Sequence, residues 1–277
     1  MRTPITSLQN ARVKSVVKLN NRRHRDAARL TIVEGVPEAE RALQNGVVPS
    51  EAYICPPLLD DVAAAGLLVT LQSLAETGAS QLFEVTPPIF AKMAYRGDSG
   101  GVLLVIPYFQ RSLEDLPLST HPLLAVIEGG EKPGNLGAIL RTADAAGADG
   151  VILSPHEDLG GTDIHNPNVI RASLGAVFTI ATAVAPTAQV IGWLRQRGIR
   201  ALATTPAATV PYTAVDMNGP VALILGSEAH GLSPEWLAAA DEHLVIPMFG
   251  RVDSLNLSVA AALLLYEAVR QRHPINS

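Results

Sequence analysis

The chain has 277 residues, 48% of them apolar and only 17% charged. That is enough for one or two packed domains and too apolar for a disordered chain. No apolar run approaches the roughly 18 residues of a membrane span, residues 1–5 show no apolar core of a secretion signal, and the single cysteine, Cys55, excludes an intrachain disulfide, so a cytoplasmic protein without a membrane partner is expected. Cys55 lies in a Tyr-Ile-Cys-Pro run with no second ligand type nearby, and no metal is expected.

Charge is unevenly spread. Residues 1–30 hold eight Lys/Arg against one acid, a balance of +7, while the other 247 residues balance at −12. A basic end on an acidic body points to a polyanion partner, RNA or DNA first, against the plainer reading of a solvated basic helix. Arg12, Lys14, Arg22, Arg23 and Arg25 are the candidate RNA-binding residues.

In chain order, residues 8–28 predict one or two helices with Val13, Val16, Val17 and Leu19 on the apolar side. Leu30–Glu34 predicts a strand, Pro37–Asn45 a helix and Ala52–Cys55 a strand. Helix, strand and helix signals follow at Leu67–Leu71, Leu82–Val85 and Pro88–Met93, and Gly101–Ile106 predicts a buried strand. This is a small α/β domain over residues 1–107, followed by a linker over 108–121 that holds Pro117 and no sustained period.

Residues 122–277 alternate strand and helix. Strands are expected at Leu123–Ile127, Gly150–Leu153, Phe178–Thr182, Arg200–Thr204, Val221–Leu225 and His243–Ile246. Helices are expected at Leu136–Ala146, Asn168–Gly175, Thr187–Arg197, Pro234–Ala240 and Leu257–Gln271. Such alternation implies a mainly parallel sheet with helices on both faces. Ligands of such sheets lie outside the carboxyl ends of the strands. The last helix is apolar almost all round, so it needs burial in protein or against a partner.

Three polar loops fall at those strand ends. The first runs Glu128-Gly-Gly-Glu-Lys-Pro-Gly-Asn135 into a helix that carries Arg141 and Asp144. A strand, a Gly-rich loop and a helix start form a plausible anion cradle. The P-loop reading lacks its Lys-Ser/Thr, and G-x-G-x-x-G is absent. Asn135 also reads as a helix N-cap, and Arg141 as an exposed residue paired with Asp144. The second loop, Gly226-Ser-Glu228-Ala-His230-Gly231-Leu-Ser233-Pro234, ends in a helix start. Its glycines permit a tight turn, and Glu228 either meets a ligand or holds the loop together. The third, Ile246-Pro-Met-Phe-Gly-Arg-Val-Asp-Ser254-Leu-Asn256, offers Ser254 or Asn256 as N-cap or as site residues.

Taken together, the loops resemble those of the SpoU (TrmH-like) family of RNA ribose 2′-O-methyltransferases, in the SPOUT superfamily. Asn135-x-Gly-x-x-x-Arg141 is similar to the family's first motif, and Gly226-x-Glu228-x-x-Gly231 to its second. Ile246-Pro-Met-x-Gly250 with Ser254-Leu-Asn256-x-Ser-Val-Ala260 is similar to its third. Ser7–Lys14 and Val33-Glu-Gly35 resemble, more loosely, the substrate-binding domain of many members. One departure is Glu131-Lys132 before Pro133, where many relatives place an aspartate.

The resemblance implies a SPOUT-type parallel sheet with a deep trefoil knot near the C-terminus and a homodimer with the site near its interface. It implies S-adenosylmethionine held by Thr204, Thr205, Leu225, Gly226, Ile246, Met248 and Leu255. Catalytic roles would fall to Asn135, Arg141, Glu228, Ser254 and Asn256, with structured RNA as substrate, ribosomal before transfer RNA. A non-catalytic RNA-binding or ribosome-assembly factor on the same fold is the competing class. A nucleotide-dependent oxidoreductase is disfavoured by the missing dinucleotide fingerprint.

Overall fold

The computed structural model describes residues 2–95, 100–129, 132–155 and 163–273. Glu131 lies outside the described residues. In chain order the elements are β1 (Thr3–Ile5), α1 (Ala11–Lys18), α2 (Arg22–Ala28), β2 (Leu30–Glu34), α3 (Val36–Gln44), β3 (Glu51–Ile54), α4 (Asp61–Glu76), β4 (Gln81–Val85), α5 (Pro87–Met93) and β5 (Val102–Pro107). There follow β6 (Leu123–Glu128), α6 (Pro133–Ala145), β7 (Gly150–Ser154), α7 (Pro167–Ala172), β8 (Thr182–Val184), α8 (Thr187–Gln196), β9 (Arg200–Thr204), β10 (Val210–Pro211), β11 (Val221–Leu225), α9 (Pro234–Ala239), β12 (Glu242–Val245) and α10 (Leu257–Arg272). Among the described residues no helix is long and apolar enough to cross a membrane.

The chain divides into two compact units. One comprises residues 1–109 and 163–179, the other residues 110–162 and 180–277. The stretch from Asp163 to Thr179, which lies between β7 and β8 in sequence, therefore clusters with the first unit. Residues 110–121 pack on the second unit, where Leu113 and Leu116 are buried.

The first unit is built on a five-stranded sheet in the order β1-β4-β3-β5-β2. β1, β4 and β3 run parallel, and β5 is antiparallel to both β3 and β2. Asn10 caps α1, its side chain accepting from the Arg12 amide at 2.9 Å, and Asn21 caps α2 through the Arg23 amide at 2.9 Å. The helix period then turns Val13 and Val16 into a core with Ile32, Tyr53, Phe83 and Phe90.

Arg25 corrects the sequence reading. It is 2% exposed; its guanidinium pairs with Asp163 and donates to the Leu19 carbonyl at 2.8 Å and the Asn20 carbonyl at 3.1 Å. A guanidinium so occupied is a structural tie for residues 163–179 and has no donor turned out to an RNA phosphate. Phe178 is a second correction. The strand expected at Phe178–Thr182 begins only at Thr182, because Gly175 (φ +78°) turns the chain and Phe178 packs its ring 4.9 Å from Phe109.

His165 completes this tie. Its ring stacks on Tyr108 at 3.6 Å and 3°, and its Nε2 lies 2.8 Å from the Phe109 carbonyl oxygen. Thr31 Oγ1 donates to the His165 carbonyl. Burial pulls the imidazole from its ordinary 6.5 down to about 4, against the pull of the Phe109 carbonyl and of Asp163.

The second unit holds a seven-stranded, wholly parallel sheet in the order β10-β12-β9-β11-β6-β7-β8. Central β6 and β11 are buried along their full length, as two-sided parallel strands must be. One face carries α8 and α9, whose Trp193, Leu194 and Trp236 share a core with Leu124, Val126, Ala222 and Ile224. α10 packs against α6, β6 and β11. Its far end is pinned by Arg272, which donates to the carbonyls of His121, Met217 and Gly219 at 2.7, 2.9 and 2.7 Å.

Burial of α10 is one-sided within a single chain. Leu257, Ala261, Leu264, Leu265 and Ala268 are buried, while Val259, Leu263 and Tyr266 remain 47%, 37% and 50% exposed. Those three share one stripe at i, i+4 and i+7.

The His165 environment sets a pH dependence. Unfolded, this imidazole takes up a proton near pH 6.5; folded, it resists until about pH 4. Its contribution is therefore complete above pH 6.5 and is lost as pH falls from there toward 4, at up to about 1.4 kcal/mol per pH unit. Urea midpoints followed from pH 7.5 to 4 should show this acid slope in the wild type and a shallower one in His165→Phe. Identical slopes would contradict it.

Candidate active site

The second and third polar loops meet at the carboxyl ends of β9, β11 and β12, where a parallel α/β sheet places its ligands. There, with residues 204–206 at the end of β9, they enclose a cavity of about 580 Å³. Thr204, Thr205, Leu225, Gly226, Ile246, Met248 and Leu255, the seven residues assigned to a cofactor from sequence, all line it. Glu228 and Ser254 line it too, as do Ser227, Val245, Asp253 and Leu257, which sequence reasoning left unnamed.

The walls are made by backbone constraints. β11 ends at Leu225, and the chain turns back so tightly that a Cβ on Gly226 would stand 2.1 Å from the carbonyl carbon of Gly231. Only glycine fits there. Gly231 takes a φ of +66° and its amide donates to the Ser227 carbonyl at 2.9 Å, closing the turn. On the opposite wall, the backbone amides of Ile246, Met248 and Leu255 have no hydrogen-bond partner among the described residues. Thr204 Oγ1 is likewise buried without a partner among them.

A polar cluster is gathered on Glu228. Its Oε1 accepts from Asn135 Nδ2 at 3.0 Å, Asn256 Nδ2 at 2.8 Å and the Leu257 amide at 3.1 Å. Asn256 Nδ2 also reaches Asn135 Oδ1 at 3.0 Å. Lys132 Nζ stands 3.9 Å from Glu228 Oε2, both side chains partly or largely in solvent. That pair is worth well under about 1 kcal/mol.

The two asparagines behave differently from one another. Asn256 is the N-cap of α10: its Oδ1 accepts from the Ser258 amide at 3.0 Å and the Ser258 hydroxyl at 2.6 Å. Capping and the cluster thus use the two ends of one amide. Asn135 is not a cap, which corrects the alternative raised from sequence. Lys132 holds the N-cap position of α6, Pro133 opens the helix, and Asn135 sits within its first turn. Ser254 is exposed, 3.4 Å from Asp253 Oδ1, and caps nothing.

Arg141 is not drawn into this cluster. Six residues beyond Asn135 on α6, it lies about 120° round the helix. It is exposed, with no hydrogen bond or ion pair to the described residues, so the expected pair with Asp144 is not formed. His230 is exposed as well, its backbone amide donating to Ser227 Oγ at 3.3 Å.

Comparison with known proteins bears on this arrangement. Residues 122–266 match the SpoU rRNA Methylase family and residues 10–104 the MRM3-like substrate binding domain. A solved RNA 2′-O ribose methyltransferase aligns at TM-score 0.82 with 40% identity, covering 98% of this chain and 99% of that one. The AdoMet-bound rRNA methyltransferase of Sinorhizobium meliloti aligns at TM-score 0.87 with 31% identity, 99% of each chain being covered. The 23S rRNA (uridine(2479)-2′-O)-methyltransferase of Streptomyces viridochromogenes is 30% identical over 283 residues, 98% of this chain and 94% of that one.

The chain belongs to the SpoU rRNA methylase family.

In this SpoU-family chain the candidate RNA-binding residues divide by their contacts. Lys14 and Arg23 are exposed. Arg22 is exposed and 3.6 Å from Asp26. Arg12 is partly engaged, paired with Glu51 and lying 4.7 Å over the Phe83 ring. Arg25 is withdrawn altogether, as described above. Glu128 was not singled out from sequence as a site residue. It is a buried carboxylate at the end of β6, and its only sequence signal is an acid closing an apolar strand before Gly129.

Proposed function

We propose that this chain transfers a methyl group from S-adenosylmethionine to a ribose 2′-hydroxyl of ribosomal RNA, acting in the cytoplasm as a homodimer. The observation that carries the reading is the cavity at the sheet's carboxyl edge, with Glu228 on its wall and Asn135 and Asn256 bonded to Glu228 behind it. Family membership and two full-length relatives bearing ribose 2′-O-methyltransferase names support it.

The cavity fits the cofactor on its own chemistry. An adenine ring needs an apolar slot and edge partners. Leu225, Ile246, Met248 and Leu255 supply the slot, and the uncommitted amides of Ile246, Met248 and Leu255 supply donors. Thr204 Oγ1 is a further uncommitted polar group. When bound, S-adenosylmethionine supplies an electrophilic methyl group on a sulfonium.

The chain's own residues then have to place the ribose hydroxyl and steady the charge it gains. Glu228 fixes Asn135 and Asn256 as one rigid amide surface, and Ser254 completes the rim. Arg141 orients the hydroxyl and stabilises developing alkoxide; a guanidinium holds its proton too tightly to serve as the base. The reading also carries the trefoil knot expected near the C-terminus. The pairing of β12 with β9 and the seating of α10 against α6 are consistent with it.

Labelled methyl should pass from S-adenosylmethionine into the ribosomal fraction of RNA from cells lacking this protein. Arg141→Ala should abolish transfer, and Arg141→Lys should lose most of it. Label in transfer RNA alone would overturn the substrate, and no label at all would overturn the reaction.

The basic end of the first unit is proposed to hold RNA phosphates through Lys14, Arg22 and Arg23, with Arg12 contributing less. Neutralising Arg22 and Arg23 together should flatten the dependence of log affinity on log salt by roughly 1–2 units. Arg25→Gln should leave that slope alone and destabilise the fold instead. An unchanged slope in the double variant would move RNA binding elsewhere.

A second copy of the chain is proposed to cover Val259, Leu263 and Tyr266. Their stripe begins one turn from the cluster, and Phe249 on the adjoining loop is 96% exposed. Light scattering should report a dimer at micromolar concentration and a monomer for Leu263→Glu. A wild-type monomer would remove the dimer from the reading.

A further inference from the structure

Glu128 ends the central strand β6 and is 3% exposed. No Lys or Arg among the described residues pairs with it. Its two oxygens meet donors only. Oε2 accepts from the Ser233 amide at 2.7 Å, and Oε1 accepts from the Thr187 hydroxyl at 3.3 Å. Thr187 Oγ1 in turn lies 2.7 Å from Ser154 Oγ at the end of β7. Burying a carboxylate without a cation is costly, and a cost of that kind calls for a function at the place where it is incurred.

The place is the root of a catalytic loop. The segment from Gly226 to Ser233 leaves the sheet at Leu225 and re-enters secondary structure at Ser233, the N-cap of α9. Its middle is closed on itself by the Gly231 amide and the Ser227 carbonyl at 2.9 Å. Its start is fixed by the sheet. Its far end is fixed by the bond from the Ser233 amide to Glu128. Between those anchors lie Ser227, Glu228 and Gly231, all on the cavity wall. The chain on the other side of Glu128 matters equally. Gly129 adopts φ +87° and its amide donates to the Ser154 carbonyl at 2.9 Å, starting the path to Lys132 and Asn135.

We propose that Glu128 is a positioning residue for methyl transfer: it locks the Gly226–Ser233 loop to the strand that delivers Asn135, so that Glu228 meets Asn135 and Asn256 in one register. This rests on the reading of the site as a methyltransferase. Glu128 itself touches neither substrate nor cofactor. Its effect is transmitted through the loop root, and it depends on the reach of the side chain more than on its charge.

The test compares Glu128→Gln, Glu128→Asp and Glu128→Ala in the full chain. Calorimetry gives S-adenosylmethionine affinity, and steady-state methylation gives kcat and KM. In Glu128→Gln the amide oxygen can still accept from the Ser233 amide. Its NH2 can donate to Thr187, which then turns its own proton to Ser154. This variant should stay within about twofold of wild type in both measurements. Glu128→Asp keeps the charge but is one methylene too short. It and Glu128→Ala should weaken cofactor binding about tenfold and lower kcat as well, with thermal midpoints showing a folded protein. Thr187→Val spares the Ser233 bond and should lose less than Glu128→Asp.

An alanine variant that binds and turns over like wild type would overturn the proposal. So would an aspartate variant better than the glutamine one, which would make charge the operative property. If Glu128→Ala fails to fold, the Gln-against-Asp order decides alone. A wild type that binds S-adenosylmethionine yet methylates no RNA would defeat the proposed reaction, while the calorimetric order of the variants would still judge Glu128.

Discussion

One oxygen atom organises the site. Glu228 Oε1 receives three N–H groups, two from asparagine side chains and one from the backbone of α10. Asn135 is 93 residues away from it in sequence and Asn256 is 28 away, so no local preference could bring them together. A carboxylate does so because it only accepts, and because it has lone pairs enough for several donors. Asn135 lies in the first turn of α6, and Leu257 is the first residue of α10. Two helix N-termini therefore bring donors to one anionic group, α10 through the Leu257 amide and α6 through the Asn135 side chain. An amide or hydroxyl at position 228 would gather fewer donors and leave one of them unmatched.

That convergence explains the rest of the cavity. Because Glu228 is held from both helices, the turn that carries it has to be compact, and Gly226 against Gly231 makes it so. Because Asn256 is fixed as a cap, the loop from Ile246 to Leu255 ends at a defined point and presents its backbone to the cavity. α6 then serves two directions at once. Its first turn belongs to the cluster, and Arg141, two turns on, points away from it into solvent. A helix separates such tasks by its period alone, without any bend in the chain.

Much of this was legible in sequence, for identifiable reasons. Leu123–Ile127 and Val221–Leu225 read as buried strands because both faces of a parallel strand are covered. The polar loops were legible because they fall at strand carboxyl ends, while the cofactor residues, Thr204 and Thr205 among them, came from the family resemblance. The start of α6 was misplaced because Pro133 and Gly134 look like loop residues, although proline at a first helical position is favourable. Arg25 was misread because a run of arginines does not say which one is buried; its partner Asp163 lies 138 residues away. β1 and β10 were not foreseen at all. They have three and two residues and join their sheets at an edge, with no periodicity to announce them.

The segment from Asp163 to Thr179 was the least readable, and it changes how the chain has to be divided. Sequence order assigns it to the parallel-sheet half, between β7 and β8. Its packing assigns it to the other unit, where Ile164, Val169, Ile170 and Val177 are buried and Arg25, Thr31 and His165 hold it by polar contacts. The chain therefore passes from unit to unit at residues 109–110, 162–163 and 179–180. A single cut between residues 108 and 121 cannot part the two units, because one of them would keep an apolar segment whose core had gone with the other. Loop-closure cost grows only slowly with length, so threading a short segment out and back is inexpensive in entropy. What it gives in return is a finished core: the unit proposed to grip RNA is completed by a piece of chain that follows β7 in sequence.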